Sequence, residues 1–106
     1  MEKRLGVVAI LIEGRDAVPR VNQILSSHGE IIQGRLGMPF RDKGVQVISL
    51  IVEGSTDQVG ALTGPLGRLP GVQVKSILTN YREDSDDGDY HQLKSGNRPR
   101  PEDELP

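Results

Sequence analysis

The sequence predicts an α+β sandwich, a four-stranded antiparallel sheet with two helices on one face, in the order βαββαβ. Three observations predict it. Segments 4–13 and 45–53 are apolar at nearly every position, as in strands covered on both faces. Segments 30–36 and 72–79 are amphipathic, as edge strands are. Between them lie two stretches with apolar residues at helical spacing: Val18, Val21, Ile24 and Leu25, then Val59, Leu62, Leu66 and Leu69. In the split βαβ, or ferredoxin-like, arrangement the first and third strands are central and the second and fourth are edges, so pattern and topology agree.

RLGVVAILIE (4–13) is the first strand. Met1-Glu2-Lys3-Arg4 before it imitates the basic start of a targeting segment. However, the apolar run is only about eight residues long, meets Glu13, Arg15 and Asp16, and is followed by no small-residue cleavage site. A membrane span needs roughly 20 apolar residues. The expectation is a cytoplasmic protein with no membrane anchor. Gly14-Arg15-Asp16 turns the chain, and Asp16 stands where it would cap the first helix. Pro19 falls in the first turn, where its missing N–H costs little, and Gly29 is the stop. Residues 30–36 give a short second strand, and 37–44 a long hairpin connection to the third strand, 45–53. Ser55 and Gln58 have the spacing of a capping box for the second helix. Within it, Gly64-Pro65 predicts a kink or an early stop near Thr63. Pro70-Gly71 turns into the fourth strand, 72–79. The folded domain is expected over 1–81. Residues 82–106, with clustered Asp, several Pro and Gly and no apolar period, are expected to be a solvated, disordered tail.

Two helices cover only one face of such a sheet, so a strand apolar on both sides leaves aliphatic side chains facing water. Alternation divides the first strand into Leu5, Val7, Ala9, Leu11 and Val8, Ile10, Ile12, and the third into Ile48, Leu50, Val52 and Val45, Val47, Ile51. Val8, Ile10, Ile12, Ile48, Leu50 and Val52 are taken as the candidate oligomer interface. Burial contributes roughly 1.5–3 kcal/mol per large aliphatic side chain, so a homo-oligomer, a dimer or tetramer, is expected.

Composition narrows the chemistry. The absence of Cys removes disulfides, thiolate metal sites and thiol nucleophiles. Phe40, Tyr81 and Tyr90 are the only aromatic residues, so Val, Ile and Leu must build the core. The net charge is −2, divided as −4 over 82–106 and about +2 over 1–81, without the basic footprint of a nucleic-acid binder. His28 is the one histidine in the folded domain and sits at a helix C-terminus, where a partly cationic group is favourable; His91 lies in the tail. No nucleophile, base and acid share the spacing of a hydrolytic site, and no Gly-Lys-Ser/Thr follows the Gly34–Pro39 glycines. The expectation is a non-enzyme with no metal and no cofactor. Two places remain as binding candidates. One is the first strand–helix turn, Gly14, Arg15 and Asp16, where backbone N–H groups are available to a ligand. The other is the hairpin cations Arg35, Arg41 and Lys43, as an anion or partner contact.

The segments RLGVVAILIEGRDAVPRVNQIL and GEIIQGRLGMPFRDKGVQVISLIVEGSTDQVGALTGPLGRLPGVQVKSIL closely resemble the family of iron-only hydrogenase system regulators. IIQGRLGMP, ISLIVEGSTDQVGALTGPLG and LPGVQVKS are specific to it in combination, and the resemblance spans residues 3–79. It implies an ACT-like fold, similar to the C-terminal domain of nickel-responsive repressors, and an oligomer. It also implies a regulatory or accessory module acting through protein contacts, with hydrogenase maturation proteins as the implied partners. The nickel-binding relatives use histidines and a cysteine, and this chain has neither on any strand. With the first strand at residue 4, a DNA-binding repressor is the less favoured meaning of "regulator". The alternative is an ACT-type small-ligand sensor holding an amino acid or similar anion at the subunit boundary near Gly14–Asp16.

Overall fold

The structure is a computed structural model that describes residues 2–82. Four strands, β1 (Arg4–Glu13), β2 (Ile32–Phe40), β3 (Val45–Gly54) and β4 (Val72–Arg82), form one antiparallel sheet in the order β2-β3-β1-β4. Helices α1 (Val18–Ser27) and α2 (Thr56–Gly67) complete the βαββαβ order. The apolar strands β1 and β3 are central and pair along their full length, from Arg4 opposite Gly54 to Glu13 opposite Val45.

The face of the sheet is set by alternation. Val8, Ile10 and Ile12 of β1 and Ile48, Leu50 and Val52 of β3 are all buried under the helices. Val21, Ile24 and Leu25 of α1 and Val59, Leu62 and Leu66 of α2 meet them, and Val72 joins from β4. The candidate interface set is therefore the core of the single chain. It is corrected to the opposite set, because residues two apart share a face and this set is the one the helices cover.

The N-cap of α1 is Ala17, one residue after the expected Asp16, and no side chain caps the helix. The Val18 N–H is already bonded to the Arg15 carbonyl (3.2 Å). Pro19 has no N–H at all, so a capping carboxylate at Asp16 lacks its ordinary donors. His28 closes the helix, and its Nδ1 lies 2.9 Å from the Ile24 carbonyl oxygen. A carbonyl only accepts, so Nδ1 carries the proton.

The α2 capping box forms in both directions: the Gln58 N–H donates to Ser55 Oγ (3.1 Å) and the Ser55 N–H to Gln58 Oε1 (2.9 Å). α2 does not stop near Thr63 but runs through Pro65 to Gly67. Pro65 lies in the last turn, where only the carbonyl of Ala61, an exposed residue, loses its intrahelical donor. Continuing the helix keeps Leu62 and Leu66, four residues apart, both fully buried.

β2 and β4 are also longer than the sequence pattern indicates. β2 runs through Gly37 and Pro39 to Phe40, residues expected to be loop, and the hairpin turn shrinks to Arg41–Gly44. Proline is tolerated because β2 is an edge. β4 continues to Arg82. The expected tail therefore begins inside a strand, and 83–106 lie outside the described residues. Among the described residues no helix is long and apolar enough to cross a membrane.

Gly6, on the helix side of β1, is required by close approach. A Cβ there would lie 2.6 Å from both the Ile77 carbonyl oxygen and Leu78 Cδ2, beside a register shift in the β1–β4 ladder. Gly60, by contrast, is exposed in mid-α2 with nothing within 4 Å of a Cβ. The same substitution therefore has opposite signs at the two sites. Gly6→Ala destabilises by about 1–3 kcal/mol through overpacking, and Gly60→Ala stabilises by about 0.5–1 kcal/mol through helix propensity. Urea denaturation of the two variants measures both.

Candidate functional site

Two surfaces of the domain are unusual. The first is the sheet face away from the helices. Directly opposed residues on antiparallel strands share a face, so the rows across the open face can be read from the register. Gly34, Ile51, Val7 and Ile77 form one row; Leu36, Ser49, Ala9 and Lys75 the next; Met38, Val47, Leu11 and Gln73 a third. All the large hydrophobics exposed among the described residues lie on this face: Leu5, Val7, Leu36, Met38, Ile51 and Ile77, the last 70% exposed. The expectation that an apolar face lies open to water describes the molecule, with the opposite residues on it. Leu36, Met38 and Ile77 are additions that sequence reading missed. The signal for the first two was the alternation Leu36, Met38, Phe40, interrupted to the eye by Gly37 and Pro39.

The second is a cleft of about 690 Å³ at the end of the sheet where β1 stops. It is lined by Gly14, Arg15, Val18 and Pro19 from the β1–α1 turn and α1, and by Pro39, Phe40, Arg41, Gly44, Val45 and Gln46 from the β2–β3 hairpin. The antiparallel β1–β3 pairing puts Glu13 opposite Val45 and so sets the two turns side by side. The Gly14 N–H donates to the Gly44 carbonyl (3.0 Å), joining the turns covalently distant in sequence. Both glycines have left-handed backbone, φ 74° at Gly14 and 68° at Gly44, which other residues adopt only at a cost.

The cleft unites two residues of the first candidate set with one of the second. Arg15 and Gly14 meet Arg41 there, whereas Asp16, Arg35 and Lys43 do not line it. Arg35 lies on β2 rather than at the hairpin tip and reaches back to Asn22 Oδ1 on α1 (3.4 Å). It is opposite Leu50, so it belongs to the helix side of the sheet. Lys43 turns to its neighbour Asp42, Nζ to Oδ2 3.5 Å, in an exposed pair. Among the described residues no three His, Asp or Glu side chains gather as metal ligands would.

Comparison with known proteins places these surfaces in a family. Residues 4–76 match the family model TM1266-like, described as "Iron-only hydrogenase system regulator, putative". The structure of uncharacterized protein TM1266 from Thermotoga maritima superposes with a TM-score of 0.72 at 35% identity, over 74% of this chain and 99% of that one. The chain belongs to this family. More distant structures share the fold alone. An unknown protein from Galdieria sulphuraria gives a TM-score of 0.52 at 15% identity, over 74% of this chain and 46% of that one. A formyltetrahydrofolate deformylase from Pseudomonas putida gives 0.55 at 11%, over 73% of this chain and 30% of that one. No curated protein matches the chain.

The glycines at the cleft make a direct prediction. A Cβ at Gly44 meets nothing within 4 Å, yet Gly44→Ala costs about 1–2 kcal/mol because φ is positive there. Gly29→Ala, equally open and without a positive φ, stays within about 0.5 kcal/mol of the parent. Equal losses at the two positions in thermal or urea unfolding would remove the backbone argument.

Proposed function

We propose that this domain is a non-enzymatic regulatory module of the iron-only hydrogenase system, and that it works as a homodimer closed through the open face of its sheet. Membership of the family supports the regulatory reading. The single observation that carries the dimer is the collection of the exposed large aliphatics on one face.

Size supports the same occupant. Four strands about 4.8 Å apart and ten residues long at about 3.3 Å each span roughly 600 Å² in projection. A standard interface takes about 800 Å² per partner, so a second copy of the same face is a matching cover. The face is also self-complementary in chemistry. Across β2, β3 and β1 its middle rows are aliphatic or small, Gln73 and Lys75 lie on the edge strand β4, and Glu53 stands toward one end, opposite Leu5. The ammonium can stay at the rim, hydrated, while the stem covers apolar surface. Sheet-on-sheet packing of two such faces needs no new backbone pairing, and it removes the penalty of apolar surface in water.

The regulatory part of the reading assigns the module to protein contacts, with hydrogenase maturation proteins as partners. His28 is engaged at its helix end by the Ile24 carbonyl, which leaves it a capping role rather than a place beside a nucleophile.

Sedimentation velocity tests the dimer. The parent chain is expected to run as a dimer at micromolar concentration. Val7→Glu, which buries a charge in the row Gly34, Ile51, Val7 and Ile77, is expected to shift it to monomer with the circular-dichroism spectrum retained. A monomeric parent sinks the dimer, as does a Val7→Glu dimer. In cells with an iron-only hydrogenase, deletion of the gene is expected to change hydrogenase activity, restored by the parent and not by Val7→Glu. Unaltered activity on deletion counts against the regulatory reading alone.

A further inference from the structure

We propose that the cleft between the β1–α1 turn and the β2–β3 hairpin binds a small organic oxyanion, its charged end held by Arg15 and Arg41 and its apolar body lying against Phe40, Val18 and Pro19. The inference goes beyond the dimer and does not rest on it, because every lining residue belongs to one chain.

Volume comes first. About 690 Å³ falls inside the roughly 300–1,000 Å³ of small-molecule sites. The lining has the composition such sites have: Val18, Pro19, Pro39, Phe40 and Val45 supply apolar walls, and a few polar groups converge on them. Those polar groups are one-sided in charge. Arg15 and Arg41 are cationic, Gln46 is neutral, and no carboxylate lines the cleft. Of the acids next in sequence, Asp42 faces Lys43, and neither Asp16 nor Glu13, which stands opposite Val45, is in the lining. Among the described residues neither arginine has an ion-pair partner. Two arginines lining one space bring like charge to it, and an oxyanion bound between them turns that repulsion into attraction. Each can bind it with two parallel N–H donors.

Preorganisation is the second argument. Both arginines stand on turns whose backbone is already fixed. The Arg15 carbonyl accepts from the Val18 N–H (3.2 Å), the Arg41 carbonyl accepts from the Gly44 N–H (3.3 Å), and Gly14 is bonded to Gly44 between them. The only freedom left to order on binding is in the side chains, which lowers the entropic cost. The backbone itself offers little to a ligand here, since Val18 N–H is occupied and Pro19 has none. Recognition therefore falls to the guanidinium groups, which favour carboxylate or phosphate. The partly buried Phe40 ring and the guanidinium planes favour a flat body beside it.

Titration calorimetry on the full chain at low salt tests this with four probes: adenosine monophosphate, phenylacetate, adenosine and inorganic phosphate. A probe with both a charged end and a flat body is expected to bind at least tenfold more tightly than adenosine or inorganic phosphate alone. Binding of adenosine monophosphate assigns the phosphate arm, and binding of phenylacetate the carboxylate arm. Arg15→Gln and Arg41→Gln are each expected to weaken the binding probe about tenfold or more, the range of a charge-assisted hydrogen bond. Arg35→Gln and Lys43→Gln, outside the cleft, are expected to leave it within twofold. Phe40→Ala is expected to weaken it while inorganic phosphate is unaffected. The proposal is overturned if neither two-part probe binds, or if Lys43→Gln costs as much as Arg41→Gln, which would mean diffuse surface charge. Because Val7→Glu lies far from the cleft, repeating the titration on that variant separates a failed ligand site from a failed dimer.

Discussion

The architecture depends on one constraint: β1 and β3 are apolar on both sides, and two helices can cover only one of them. On the helix side the constraint is met within the chain. Val8, Ile10 and Ile12 interleave with Ile48, Leu50 and Val52 and are closed by the α1 and α2 stripes. Ile31, in the short 3₁₀ turn Gly29–Ile31, seals one end of that layer. On the other side nothing in the described chain lies over Leu5, Val7 or Ile51. Sheets of this kind ordinarily put polar residues on a solvated face. Here the polar residues are Ser49 in the middle, Glu53 and Glu13 toward the two ends of the central strands, and Gln73 and Lys75 on β4. The departure from ordinary alternation is the physical reason for treating the open face as functional surface.

Topology was legible because it shows in composition alone. Buried central strands and amphipathic edges differ in how many apolar positions they hold, whatever their register. The side facing the helices was not legible, because it depends on parity. Shifting the assignment by one residue exchanges every side chain between faces, and both faces of β1 and β3 offered aliphatics of similar size. The decisive information lies on β4, where Val72, Val74 and Leu78 oppose Ile12, Ile10 and Gly6. That register sets the apolar side of an amphipathic edge strand beside one set of β1 residues, and a sequence without register cannot supply it. Gly6 carried a fainter signal. It shares parity with Val8, Ile10 and Ile12, and the missing side chain is what lets Leu78 lie across the strand.

The boundary differences have local causes of the same kind. Gly37 and Pro39 read as loop residues, but pairing with β3 holds them in an edge strand whose side chains still alternate. Pro65 read as a helix stop, but burial of Leu66 outweighs one lost hydrogen bond next to solvent. In both places tertiary packing overrode a residue's intrinsic preference. Within the candidate site, the meeting of the first turn with the hairpin was implicit in the predicted strand order. Which cations turn into the shared space was not. Arg35, Arg41 and Lys43 look equivalent in sequence, and only the structure sends one to Asn22, one to the cleft and one to Asp42.

The two surfaces share an element, and that sharing has thermodynamic content. Leu36 and Met38 present β2 to the open face, and Phe40, next in the same alternation, stands opposite Val45 at the point where that face meets the cleft. On the two proposals above, the hairpin would be held from two directions, by a second copy over the sheet and by a ligand in the cleft. A contact that fixes Phe40 from one side removes part of the entropic cost of fixing it from the other. Any coupling that results is reciprocal, since the free energy by which a cleft ligand alters association equals that by which association alters ligand binding. A fold this small has few ways to relay a signal between separate sites. An edge hairpin whose one aromatic side chain belongs to both surfaces makes a relay unnecessary.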